Sequence, residues 1–325
     1  MSRTGSEGDA AVAANPGSTF AAAAAKAQAY ADAALADATK RAYGRDWRAF
    51  SAWCAEHGLT GLPAAPGTVA LYLADAADRL RAATIDRRLA AISHAHAVAG
   101  LPSPRQSPAV ARVRRGIRVT HGTAPARKAA VRIGDLRRML EALPCDARGR
   151  RDRALLLLGF AGGFRRSELA AVEIADLAFS RDGMLVRVRR GKTDAEGGGR
   201  TVPIRFGREP ATCPVTAVIG WLYHSGIRHG PLFRGVGNDG TIAARALSDR
   251  SVALVVKRAA LGAGLDPRRY AGHSLRRGLA TAATEHGAPP RVAMRQMGHR
   301  DGRAFAGYVE EAGGFVDDVG RYLPL

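Results

Sequence analysis

Four short segments in the C-terminal half carry side chains able to work on a phosphate ester. In order they are Gly163-Phe164-Arg165-Arg166-Ser167-Glu168-Leu169, Arg190-Gly191-Lys192-Thr193, His273-Ser274-Leu275-Arg276-Arg277-Gly278, and Met297-Gly298-His299, with Tyr308 nine residues beyond. Arg165 and Glu168 stand three apart where a helix begins, so both fit one face, and His273 and Arg276 repeat that spacing. Two arginines meeting at one point suit a phosphodiester, because each guanidinium offers a planar fork to the non-bridging oxygens. Phosphoryl transfer asks mainly for positioning and charge stabilisation. It also asks for a nucleophile, a base, and an acid for the leaving oxygen. Tyr308 can be the nucleophile, His273 the acid/base group, and Lys192, on a hairpin turn, the acid. The sequence holds no cluster of Asp and Glu of the kind that grips two metal ions, so a metal route is unsupported and no cofactor is expected.

Each segment alone has an ordinary explanation. A tyrosine in a helix is usually packing, and Tyr43, Tyr72, Tyr223 and Tyr270 are read so. His299 alone would be a turn residue after Gly298, and Glu168 a surface partner for a nearby arginine. Their joint occurrence in this order is what departs from chance.

That order resembles the catalytic boxes of the tyrosine recombinase (phage integrase) family, Xer-like site-specific integrases included. The family pattern is similar to G-[LF]-R-x-S-E-L, a hairpin Lys, H-x-L-R, L-G-H and a Tyr. Met297 stands where Leu is usual, and the gap from His299 to Tyr308 fits. The motifs cover residues from about 130 to the C-terminus. The helical region before them resembles the family's core-binding domain more loosely. The resemblance implies that Arg165 and Arg276 bind the scissile phosphate, that His273 and His299 contact it, and that Glu168 supports the site. It implies that Lys192 protonates the 5′ leaving oxygen and that Tyr308 attacks phosphorus, leaving a 3′-phosphotyrosyl link, without ATP or metal. It further implies a homotetramer on two double-stranded DNA sites, with cyclic exchange of a C-terminal segment. Phe315, Val316, Val319, Tyr322 and Leu323 make that segment apolar enough to dock on a neighbour or on its own domain.

These side chains need elements to hold them. Residues 152 to 161 are too apolar for a surface helix and predict a buried one, and residues 135 to 143 predict an amphipathic helix capped by Asp135. Residues 184 to 190 and 201 to 205 alternate around a Gly-rich turn, a hairpin signature. Helices are expected over 249 to 262, 274 to 286 and 289 to 297. The second domain, 131–325, is therefore mostly helical with a small sheet, and the whole chain mainly α with a small β-sheet (α+β).

Upstream, residues 24–118 predict a small all-α domain. One helix is capped by Thr39 and carries Tyr43, Trp47, Phe50 and Trp53 or Cys54 on an aromatic face. Others open after Pro66, near Thr84 and after Pro108. Arg87, Arg88, Arg112, Arg114, Arg115 and Arg118 fall off the apolar stripes, with few acids interspersed, and are read as phosphate-facing. Residues 119–130 form a linker that carries Arg127 and Lys128, allowing the two domains to close on a duplex. Arg166 and Arg277 are left as DNA-backbone or structural residues. Residues 1–23 are Ala-, Gly- and Ser-rich and expected to be disordered.

Composition bounds the partner. Forty-nine Lys and Arg against 29 Asp and Glu give a net charge of +20, which points to a polyanion, nucleic acid first. No apolar run long enough for a membrane span is found, and the N-terminus lacks a signal-peptide pattern, so a cytoplasmic location is expected. Cys54, Cys145 and Cys213 show no paired spacing. Two rivals share these features. A catalytically silent DNA-binding relative would have lost some member of the set, and a type IB topoisomerase would carry a different N-terminal architecture.

Overall fold

The computed structural model describes residues 35–123, 128–189 and 198–299, with Ala23, Ala25, Lys26 and Tyr30. The expected tail over residues 1–23 lies outside the described residues, apart from Ala23. The chain divides into two compact units, Met1–Pro125 and Ala126–Leu325.

In the first unit the described residues include helices over Asp37–Glu56 (α1), Pro66–Ala77 (α2), Ala82–Val98 (α3) and Pro108–His121 (α4), with a 3-10 turn at Pro104–Gln106. Proline opens α2 and α4, where its missing N–H forfeits no helical bond. The aromatic face of α1 is the one that packs. Phe50 and Cys54 are buried with Trp47 and Trp53 against them, and the Phe50 and Tyr72 rings meet edge-on at 5.0 Å. Leu73, Ile85, Leu89, Ile92, Val110 and Ile117 complete this core. Leu71 faces solvent, because one helical stripe cannot take both it and its two neighbours. Thr39 is not the cap of α1. Ala36 precedes the helix, and Thr39 lies inside the first turn with its N–H on the Ala36 carbonyl at 2.8 Å. Helix α4 continues to His121, so residues 119–121 of the expected linker are helical.

The second unit contains Ile133–Glu141 (α5), Ala147–Gly162 (α6), Arg166–Ala170 (α7), Pro214–Ser225 (α8), Asp249–Gly262 (α9), His273–Glu285 (α10) and Pro290–Met297 (α11). Leu177–Ser180 (β1), Gly183–Val188 (β2) and Arg200–Arg205 (β3) form an antiparallel sheet in that order, and Arg234–Val236 (β4) pairs with Ile242–Ala246 (β5). Helix α6 carries the run Ala154–Leu158, every residue buried. Its Asp146 cap accepts the Gly149 N–H at 2.7 Å. Asp135 does not cap α5. It sits in the first turn and accepts from Arg138 at 2.7 Å and from the Tyr270 hydroxyl at 3.0 Å. In β2, Met184, Val186 and Val188 point inward, opposite Ile204, Val202 and Arg200 respectively.

Among the tyrosines read as packing, Tyr72 and Tyr270 are buried and Tyr43 lies 5.5 Å from the His94 ring. Tyr223 is 91% exposed. It stands two residues from Trp221, whose indole is buried and donates to the Leu232 carbonyl at 2.8 Å, so the α8 face carrying Tyr223 turns outward. Among the described residues no helix is long and apolar enough to cross a membrane.

Candidate active site

Helix α6 ends on Gly163, whose φ of 58° is left-handed. A Cβ there would lie 2.7 Å from Leu279 Cδ2 and 3.0 Å from Met297 Cγ, so the turn seats directly on α10 and α11. Two residues later Arg165 precedes α7, and Glu168 of that helix reaches back to accept the Arg165 N–H at 3.0 Å. The buried Glu168 carboxylate is saturated. It also accepts Arg165 Nη1 at 2.6 Å, Arg200 Nη1 at 3.2 Å and Arg200 Nη2 at 2.9 Å. Burial is the largest single influence on this group and opposes its charge. The Arg200 fork and the Arg165 N–H nonetheless prevail, holding the carboxyl at about 2 against an ordinary 4.5.

Arg200 was not among the expected site residues, although the sequence carried a signal for it. In the alternating strand it is in phase with Val202 and Ile204, both buried. A cation on the inward face of a strand requires a buried anion, and Glu168 supplies it.

Helix α10 places His273 at its first residue and Arg276 one turn on. Arg276 is 1% exposed, and its Nη1 donates to the Gly163 carbonyl at 2.6 Å and to the Met297 carbonyl at 2.7 Å. One guanidinium thus ties together the ends of α6 and α11. The His299 N–H closes the turn after α11 on the Met294 carbonyl at 2.9 Å, with Gly298 left-handed at φ 65°. His273 faces solvent yet titrates near 4, well below the ordinary 6.5. Desolvation comes first among the causes, followed by the positive charges of Arg276, Arg277, Arg165 and Arg166.

The structure therefore brings together segments containing Arg165, Glu168, His273, Arg276 and His299. Lys192, Tyr308 and Arg127 lie outside the described residues, as do Arg190 and the apolar positions from Phe315 to Leu323. Arg277 is buried, and Arg166 is exposed with its Nη2 at 3.7 Å from Asp249. Lys128 donates to the Arg268 carbonyl at 2.7 Å. In the first unit the arginine face has acids that spacing did not reveal. Arg87 forks onto the buried Asp46 at 2.7 and 3.1 Å, and Arg88 donates to the Tyr72 hydroxyl at 2.6 Å. Arg114 and Arg118 share Asp86. Arg112 and Arg115 remain exposed on α4. Among the described residues no group of three or more His, Cys, Asp or Glu is placed to hold a metal ion.

Comparison with known proteins follows this division of the chain. A model of the phage integrase family matches residues 131–313, and one of the phage integrase N-terminal SAM-like domain matches residues 30–99. The integrase/recombinase xerD homolog of Selenomonas ruminantium is 38% identical over 299 residues, covering 90% of this chain and 87% of that protein. In fold the chain is similar to the Tn1549 transposon integrase in complex with transposon right end DNA, at TM-score 0.60 and 16% identity, covering 84% of this chain and 89% of that one. It is also similar to a lambda integrase tetramer bound to a Holliday junction, at TM-score 0.58 and 17% identity, covering 86% and 73%.

Proposed function

The chain belongs to the phage integrase family, and from that premise we propose that it cuts and rejoins double-stranded DNA at a specific site through Tyr308. The observation that carries this reading is the convergence on Arg276. Its guanidinium joins the Gly163 turn to the Met297 turn, so the arginine of one motif is oriented by the backbone of two others.

Arg165 and Arg276 grip the non-bridging oxygens of the scissile phosphate, and His299 contacts it. The Tyr308 oxygen attacks phosphorus, forming a 3′-phosphotyrosyl bond as the bond to the 5′ oxygen breaks. Lys192 gives that oxygen its proton, and His273 takes the phenolic one. Desolvation and the neighbouring positive charges leave His273 neutral before DNA arrives, hence able to accept. A phosphate anion offsets those charges and raises its basicity as the reaction begins. The bond energy stays in the covalent link, so the freed 5′-hydroxyl, or one from a second duplex, reverses the step without ATP. Exchange between two duplexes calls for four protomers, the arrangement we infer on DNA, and the net charge of +20 suits the polyanion.

The test is a suicide-substrate assay. Tyr308→Phe retains DNA binding and yields no covalent adduct on a denaturing gel; an adduct that survives the substitution places the nucleophile elsewhere. Adduct formation also persists in excess EDTA, and its loss there would require a metal step.

A further inference from the structure

Arg200 occupies a position that stability alone does not favour. It lies on the inward face of β3, and its Nε is buried with no hydrogen-bond partner among the described residues. An apolar side chain there, with an apolar partner at 168, would avoid dehydrating two charges. The guanidinium is instead committed to Glu168 through both terminal nitrogens, at 3.2 and 2.9 Å, one to each carboxylate oxygen. Its other face supports the turn before His299: a Cβ on Gly298 would stand 2.9 Å from Arg200 Cδ and Nε.

The charge arithmetic gives this fork its meaning. Arg165, Glu168 and Arg200 together carry one net positive charge. Arg165 alone beside Glu168 would carry none, and its Nη1 is already only 2.6 Å from the carboxylate. We propose that Arg200 is a positioning residue that satisfies Glu168 and thereby keeps the charge of Arg165 available to the scissile phosphate. The inference rests on the recombinase reading above. It assigns Arg200 no contact with DNA; it acts through the carboxylate.

The experiment follows covalent adduct formation on a suicide DNA substrate. The variants are Arg200→Gln, Arg200→Lys, and Arg200→Gln combined with Glu168→Gln. Arg200→Gln slows the step by roughly a hundredfold, the scale on which losing one electrostatic stabiliser acts. Arg200→Lys keeps the charge without the fork and falls between the wild-type rate and that of Arg200→Gln. The double variant, with no carboxylate left to sequester Arg165, exceeds Arg200→Gln by roughly tenfold, a coupling typical of residues in one network. A double variant no faster than Arg200→Gln, or a lysine variant as slow as glutamine, overturns the proposal. Titration of the Glu168 carboxyl by ¹³C NMR adds a readout independent of cleavage. It moves upward in Arg200→Gln, and an unmoved titration also overturns the proposal. Failure of the wild-type chain to form any adduct would count against the recombinase reading, and the NMR titration would still decide the Glu168 coupling.

Discussion

Glu168 and His273 both lie below their ordinary values: against its own burial the Arg200 fork and the Arg165 N–H hold Glu168 as an anion, while desolvation and then the surrounding arginines deny His273 its cation. The consequences for stability can be signed. Glu168 falls from an ordinary 4.5 to about 2, so its contribution is complete above 4.5 and is lost as pH drops toward 2. His273 falls from 6.5 to about 4, so the folded state is favoured fully above 6.5 and loses that advantage as pH drops toward 4. We predict that His273→Gln lowers the pH sensitivity of thermal unfolding between 6.5 and 4. We also predict that the deficit of Glu168→Gln is largest at neutral pH and narrows below 4.5. Unfolding curves with the wild-type pH slope in both variants would remove the charge assignment. Much of the site was legible at this scale, because Arg165 with Glu168 and His273 with Arg276 are each set by spacing along one helix. Arg200 was not read, because its carboxylate lies 32 residues away and only the folded hairpin aligns them.

Among elements, the long helices were readable from periodicity and from prolines at their starts, as at Pro66 and Pro108. The starts assigned to Thr39 and Asp135 missed because α1 and α5 have no side-chain cap at all. The sheet was half legible: β2 and β3 alternate cleanly, whereas β1 is four residues long with three of them exposed. Helix α8 and the β4–β5 ladder went unread, the latter because its ladder is irregular and only partly buried. Two glycines join these elements at the site. We predict that Gly163→Ala and Gly298→Ala each cost about 1–2 kcal/mol for the left-handed backbone alone. Gly298→Ala additionally displaces Arg200, which a Cβ would meet at 2.9 Å. Urea unfolding measures the first effect. Adduct formation measures the second, and an unimpaired Gly298→Ala enzyme would show that the turn is free to shift.

For the molecule as a whole, the count of 49 Lys and Arg overstates the cations available to a polyanion, since Asp46 and Asp86 already engage Arg87, Arg114 and Arg118. Exposed residues without such partners are the better phosphate contacts. We predict that Arg112→Ala and Arg115→Ala each reduce the salt dependence of DNA binding by about one phosphate contact, while Arg87→Ala changes it less and lowers stability instead. Binding isotherms at several salt concentrations separate the two outcomes, and equal slopes for all three variants would refute the distinction. The sequence reported total charge but not its internal neutralisation, because Asp46 and Arg87 are 41 residues apart.

The carbonyls that hold Arg276 are main-chain atoms of Gly163 and Met297. Side-chain exchange at position 297 leaves that acceptor in place, so methionine serves there as well as leucine. Withdrawing α11 does not: it strips an interior cation of one of its acceptors, at a cost the protein avoids by keeping the helix seated. Placement of the Arg276 guanidinium and seating of α11 are thereby coupled through the Met297 carbonyl.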